Sequence, residues 1–273
     1  MDNYDKFLLI SDLDGTLINS KQQISVKNRE AINHFIKNGG VFAVATGRTT
    51  QNIRLHIKEL TINGPCILYN GSAIYDFSKE NLINIEYLEN HVVVEYIEYC
   101  MNSFSSMVVE IFTPEMMFIV TPEENVDPYV LSEKQAFQRS TLEQIMNMQW
   151  IKVMFSDTYS NLLEAEKAMK AFGLSDKIDC VFSHEHYLEL LKKDVSKGTA
   201  LKYIKLMEEY KSRIIVAVGD FDNDLEMIKT ADLGIAVDNA RECLKHAADK
   251  VVVSNDHDAI YHIIHNIIPE FDK

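Results

Sequence analysis

Two carboxylates, Asp12 and Asp14, stand two positions apart in Asp12-Leu13-Asp14-Gly15-Thr16-Leu17, directly after the apolar run Phe7-Leu8-Leu9-Ile10. Where a buried strand gives way to a glycine turn such a pair is costly, because like charges about 4 Å apart repel by about 4 kcal/mol at an effective dielectric near 20. A divalent cation is the usual compensation. The plain alternative is a turn leading into a helix N-cap, where Asp and Gly are common. Two further clusters bear on the choice. Thr46-Gly47-Arg48 follows the apolar run Val41-Phe42-Ala43-Val44-Ala45, and Gly219-Asp220-Phe221-Asp222-Asn223-Asp224 follows Ile214-Ile215-Val216-Ala217-Val218. Ligands of open parallel sheets bind outside the carboxyl ends of the strands, so three strands ending in polar clusters predict one shared crevice.

Neither acidic cluster is a calcium loop of the EF-hand kind. A loop starting at Asp220 would carry Leu225 where Gly is needed and Ala231 where Glu is needed, and one starting at Asp12 would end on Gln23. The chain also lacks a G-x-x-x-x-G-K-[ST] phosphate loop and a G-x-G-x-x-G dinucleotide fingerprint, the usual signs of P-loop nucleotide hydrolysis and of hydride transfer.

The elements that must position these residues alternate strand and helix. Val26, Ile32, Phe35 and Ile36 fall at helical spacing before Asn38-Gly39-Gly40, a second helix is expected through Ile53, Ile57 and Leu60, and Cys66-Ile67-Leu68-Tyr69 is a further apolar strand. This order implies a parallel sheet covered on both faces, a doubly wound α/β core. After Asn70-Gly71 the pattern changes to hairpins and helices around Pro114, Pro122 and Pro128, which reads as an inserted α+β domain over residues 85–188. Doubly wound order resumes from about Lys197, so residues 1–84 and 189–273 are expected to form one core domain split by the insertion.

Composition limits the partners. A chain of 273 residues with 47% apolar residues can bury two cores. With 27 Lys and Arg against 41 Asp and Glu, the formal charge of −14 argues against a general grip on nucleic acid or an anionic membrane. An anionic substrate would need local positive charge. Cys66, Cys100, Cys180 and Cys243 lie far apart without a C-x-x-C pair, as expected of reduced thiols. No apolar run approaches the ~18 residues of a membrane span, and Met1–Lys6 has no leader pattern, so a soluble cytoplasmic protein is expected.

On these motifs the chain resembles the haloacid dehalogenase-like (HAD-like) phosphohydrolase superfamily, and within it the Cof-type phosphatases with a large α+β (type IIB) cap. D-x-D-G-T-L at 12–17, A-T-G-R at 45–48, Lys197 in S-K-G-T-A-L and G-D-x-x-N-D-x-x-M at 219–227 occur in family order, and Asn70-Gly71 and Asn239-Ala240 match lesser elements. Val237-Asp238 departs from the Met-Gly-like pair common in relatives. The resemblance implies a Rossmann-like core, Mg²⁺ as cofactor, and hydrolysis of small phosphorylated metabolites, such as sugar phosphates or phosphorylated cofactors, by a monomer or homodimer. It implies Asp12 as nucleophile forming an aspartyl-phosphate and Asp14 as general acid and base. Asp12, Asp220 and the backbone carbonyl of Asp14 would hold the metal, with Asp224 either behind it or on Lys197. Thr46, the Leu13 and Gly47 backbone N–H groups, Lys197 and Asn223 would bind the phosphate.

Taken singly, Thr46-Gly47-Arg48 is an ordinary strand-to-helix turn, Lys197 a solvated helix residue and Asp224 a helix N-terminal charge; order and spacing join them into a site. Arg48 is expected either at the site or merely pinning its loop. His184 and His186 have no third ligand type nearby in sequence, and Trp150 reads as core of the insertion. The rival enzyme is a phosphomutase of the phosphomannomutase kind, which shares the Asp nucleophile; a rival of another class is a non-catalytic metabolite-binding regulator. An ion-pumping ATPase is excluded, since such relatives carry Thr where this chain has Asp14.

Overall fold

The strand Phe7–Asp12 is buried at all of its positions, as a strand must be when helices cover both faces of its sheet. In the computed structural model, which describes residues 3–271 apart from 59, 123, 133 and 134, it is β1. The core continues with β2 (Val41–Ala45), β3 (Pro65–Leu68), β4 (Ala73–Asp76) and β5 (Asn81–Ile85). The insertion supplies β6 (Val108–Phe112), β7 (Met117–Ile119), β8 (Phe137–Arg139), β9 (Lys152–Ser156), β10 (Ile178–His184) and β11 (Tyr187–Lys192). The chain then returns for β12 (Ile214–Gly219), β13 (Leu233–Val237) and β14 (Lys250–Val252).

The core sheet has the order β14-β13-β12-β1-β2-β3-β4-β5. Its first six members in this order are parallel to their neighbours, and β4 turns back antiparallel on β3. From β1 the chain moves outward through β2 and β3, then later returns on the other flank through β12, so the connections diverge at β1. That divergence opens the crevice where ligands of doubly wound sheets bind. Register puts Asp12 opposite Ala45 and Ser11 opposite Val218, which brings the ends of β1, β2 and β12 level. The fold is thus the mixed α/β core expected from the apolar runs.

Local signals explain the helices that flank this crevice. Val26–Lys37 starts at Ser25, whose side chain accepts from the Asn28 N–H, and buries Ala31, Ile32 and Phe35 on the sheet. Lys197–Leu206 starts at Ser196 in a capping box with Thr199. The helix Thr50–His56 is shorter than expected: Ile57 already caps it, so Leu60 lies outside.

The second compact unit spans Ile85–Val195, and the core comprises the residues up to Asn84 and from Ser196 onward. The expected end at residue 188 falls inside β11, which pairs with β10 from Tyr187 through Lys192, so the inserted unit runs on to Val195. Its six-stranded sheet has the order β10-β11-β9-β6-β7-β8, all antiparallel except β7 with β8. Val109, Ile111, Val153, Phe155, Leu188 and Leu190 point to one face and pack with Val93 and Ile97 of helix Asn90–Ser103 and Leu162 of helix Tyr159–Ala171. Trp150 is fully buried in that core and its Nε1 donates to the Ile145 carbonyl at 3.0 Å.

Candidate active site

Asp12 is the last residue of β1 and is 6% exposed. The chain turns sharply after it: the N–H groups of Leu17 and Ile18 both donate to the Leu13 carbonyl, at 3.0 and 2.8 Å. Gly15 has φ +81°, and a Cβ there would stand 2.4 Å from Asp220 Oδ2, so only glycine lets the turn lie against the loop after β12. Thr16 Oγ1 donates to Asp220 Oδ1 at 2.9 Å and ties the same two loops together.

Lys197, the first residue of its helix, is fully buried and its Nζ donates to Asp12 Oδ1 and to Asp224 Oδ1, both at 2.7 Å. Burial by itself would strip its charge, but the carboxylates of Asp12 and Asp224 outweigh it and hold the ammonium above its ordinary pKa. Asp224 uses its other oxygen to accept the backbone N–H groups of Asp220 and Phe221, at 3.0 and 3.2 Å. Gly219 permits this close approach, since a Cβ there would lie 2.4 Å from Asp224 Oδ2. Both Asp224 oxygens are therefore engaged, one on Lys197 and one on the loop that carries Asp220.

Oxygens of Asp12, Asp220 and Asp224 lie within 4.8 Å of one another, the one such group of three metal-ligating side chains among the described residues. Burial, followed by the Asp224 charge, pushes Asp220 up to about 7. Asp12 is also raised, first by burial and then by the charges of Asp224, Asp220 and Asp14, with Lys197 opposing them. Three crowded carboxylates against one ammonium suit a hard divalent cation, which takes oxygen ligands. The donor set thus fits Mg²⁺.

Asp14 faces a different environment. Its side chain is 49% exposed, and Arg48, itself 7% exposed, grips it with Nε on Oδ2 and Nη2 on Oδ1, both at 2.8 Å. Arg48 is braced in turn by Asn52, a member of the helix Thr50–His56. Arg48 therefore orients Asp14 as well as its own loop, a pairing across 34 positions that no local pattern reveals.

Thr46 follows β2 and is 1% exposed; its Oγ1 accepts from the Arg48 N–H at 3.2 Å, which leaves the hydroxyl proton to donate elsewhere. Leu13 and Gly47 adjoin Asp12 and Thr46 at the same strand ends. Asn223 donates to Asn70 Oδ1 at 2.9 Å. Asn239, to which the sequence attached no role, donates to the Gly15 carbonyl at 2.7 Å and accepts from Asn255 N at 3.0 Å, so it steadies the turn after Asp12. Its matching Asn-Ala pair was the available signal. His184 and His186 lie at the end of β10 and in the following turn, where the His186 N–H donates to His184 Nδ1 at 3.2 Å.

Residues 9–264 match the haloacid dehalogenase-like hydrolases, and the chain belongs to that family. It is an enzyme of the phosphatase kind. Among its relatives are the Bacillus subtilis phosphatase YwpJ, 26% identical over 289 residues with 96% of this chain and 99% of that protein covered. A second is the B. subtilis 5-amino-6-(5-phospho-D-ribitylamino)uracil phosphatase YcsE, 26% identical over 257 residues, covering 93% and 92%. A solved haloacid dehalogenase-like hydrolase from Bacteroides thetaiotaomicron superposes with a TM-score of 0.79 at 29% identity, covering 97% of this chain and all of its own. Among the described residues no helix is long and apolar enough to cross a membrane.

Proposed function

We propose that the protein is a Mg²⁺-dependent phosphatase of small phosphorylated metabolites, working through an aspartyl-phosphate on Asp12. The observation that carries this reading is the fully buried Lys197 bridging Asp12 and Asp224 at 2.7 Å beside Asp220, because its ammonium opposes the burial and the neighbouring charges that disfavour the ionised carboxylate a nucleophile needs. Asp12, Asp220 and the Asp14 carbonyl would hold Mg²⁺, with Asp224 behind them; when bound, the ion supplies charge neutralisation for an anionic phosphoryl group.

Asp12, held at one oxygen by Lys197, attacks phosphorus with the other, and the bond to the leaving oxygen breaks. Asp14 gives that oxygen a proton. In the second half Asp14 takes a proton from water, the water oxygen bonds phosphorus, and the Asp12 carboxylate leaves. The half-exposed position of Asp14 and its orientation by Arg48 suit a group that must meet both leaving group and solvent. Thr46, Lys197, Asn223 and the Leu13 and Gly47 N–H groups are the donors for the phosphoryl oxygens. The relative YcsE takes a phosphorylated ribityl compound by its name, and substrates of that size and polarity are the class proposed here.

The test is phosphate release by the purified protein with Mg²⁺ across a panel of phosphorylated metabolites, beside Asp12→Asn. Release by the wild type and its loss in Asp12→Asn is the expected result. Equal release by both proteins would remove Asp12 as nucleophile, and isomerised sugar phosphate without free phosphate would make the enzyme a mutase.

A further inference from the structure

Tyr69, Asn70 and Gly71 have φ of +49°, +54° and +109°, three successive residues in the left-handed region, two of which are not glycine. Such a run is unfavourable and persists only where its surroundings hold it. Here they do so from three directions, each of which leads to a residue assigned above to the phosphate. The Tyr69 and Asn70 N–H groups donate to the carbonyls of Arg48 and Thr46, at 3.3 and 3.0 Å. Gly71 packs so closely on the start of the Lys197 helix that a Cβ would lie 2.1 Å from the Ser196 carbonyl oxygen and 2.9 Å from Lys197 N. The Asn70 side chain, 1% exposed, accepts the Asn223 amide at 2.9 Å.

The pair of amides is incompletely satisfied. Among the described residues, Asn70 Nδ2 and Asn223 Oδ1 are both buried without a hydrogen-bond partner. Asparagine is one of the few non-glycine residues that take the left-handed backbone readily, but its orphaned amide nitrogen and the orphaned oxygen of its partner oppose stability, and folding does not account for these two atoms.

We propose that the turn Tyr69–Gly71 sets the mutual position of Thr46, Lys197 and Asn223, and that Asn70 is a positioning residue for phosphate binding that acts through the Asn223 carboxamide. The inference deepens the phosphatase reading and rests on it for the role of Asn223. It also makes a claim that a structural role would not: removing the Asn70 side chain weakens the anion site without weakening the fold.

Asn70→Gly is the informative variant, because glycine keeps the left-handed backbone and deletes only the amide. Three measurements are needed: thermal unfolding, steady-state kinetics on p-nitrophenyl phosphate, and calorimetric binding of inorganic phosphate, which requires no turnover. The melting temperature should stay within about 3 °C of wild type or rise. The value of kcat/KM should fall about tenfold or more, with phosphate binding weakened by a similar factor. In the Asn70→Gly, Asn223→Ala double variant the loss should be within about threefold of Asn223→Ala alone, since one residue works through the other.

Unchanged phosphate affinity in Asn70→Gly overturns the proposal, and so does a double variant in which the two losses multiply. A large fall in melting temperature with unchanged kinetics makes Asn70 structural and overturns it as well. A wild type that releases no phosphate, yet binds inorganic phosphate more tightly than Asn70→Gly does, removes the phosphatase reading and leaves the positioning role standing. A wild type that binds no inorganic phosphate ends both.

Discussion

Replacing Lys197 with Met removes the ammonium bonded to both Asp12 and Asp224 while keeping an unbranched chain of similar length in the same space. Lys197 and Asp224 are fully buried and Asp12 nearly so, and taking one partner from a buried ion pair leaves an uncompensated charge at a cost of about 3–5 kcal/mol. Each kcal/mol corresponds to about 2–4 °C for a domain of 150–250 residues, so the core should melt about 6–20 °C lower in a chelator. The site then holds three carboxylates and no ammonium, a formal charge of −3 where the wild type has −2. Mg²⁺ should therefore restore more stability to the variant than it adds to wild type, up to about 2.7 kcal/mol at a hundredfold excess over its dissociation constant. Lowering the pH from 7 to 5 should also narrow the gap, because Asp12 and Asp220 both titrate above their ordinary range and can take up protons. The assay is thermal unfolding followed by circular dichroism, with EDTA or Mg²⁺ at both pH values, and phosphate release should be lost throughout. A variant melting within about 2 °C of wild type in EDTA, or gaining no more than wild type from Mg²⁺, would refute the idea that Lys197 balances this cluster.

Two other perturbations test separate parts of the molecule. Arg48→Ala should lower kcat by about tenfold or more with little change in KM, since a disoriented Asp14 affects proton transfer rather than binding; a rise in KM alone would place Arg48 on the substrate instead. Glu110 is fully buried, neither of its carboxylate oxygens has a hydrogen-bond partner among the described residues, and burial, then the Asp127 charge, push it up to about 8, with Glu189 adding to this and Lys152 opposing it. An acid raised in the folded state favours folding fully below its unfolded value near 4.5 and loses that contribution as pH rises through about 8. Between pH 5 and pH 8 this amounts to about 4 kcal/mol at most, from about 3 pH units at 1.36 kcal/mol each. Glu110→Gln should therefore gain stability relative to wild type steadily over that range, and a difference independent of pH in chemical denaturation would contradict the assignment.

The parallel core was legible because β1, β2 and β12 are buried on both faces and so read as unbroken apolar runs ending in polar clusters. The register that levels those ends brings Asp12, Asp220, Asp224 and Lys197 together, although they lie up to 212 positions apart. Less was legible where a residue's environment depends on the opposite side of a sheet. In Val108-Val109-Glu110-Ile111-Phe112 strict alternation puts Glu110 on the face away from the helices, where it would be read as solvated, yet it is fully buried there, as are Lys152 and Glu189 on β9 and β11. Those two make an ion pair of 2.6 Å that one-dimensional spacing cannot disclose. The insertion, expected to end at residue 188, forms a compact unit that runs to Val195, because β11 stays paired with β10 as far as Lys192. In the structure the capping box of Ser196 and Thr199 starts the helix with which the chain returns to the core.

Asp12 and Asp14 start as the same chemical group two residues apart, and the structure gives them different cations. Asp12 ends a buried strand and meets Lys197, an ammonium with no exposure, bonding through a single oxygen. Asp14 lies beyond the strand, half exposed, and meets the planar fork of Arg48 through both oxygens. A point charge on one oxygen leaves the other available as a nucleophile, whereas a bidentate grip fixes the plane of the carboxylate and leaves its open edge toward solvent. Exchanging the two cations would exchange those properties. The division of labour proposed for the pair therefore resides less in the motif than in Lys197, 185 positions away from Asp12, and Arg48, 34 positions away from Asp14.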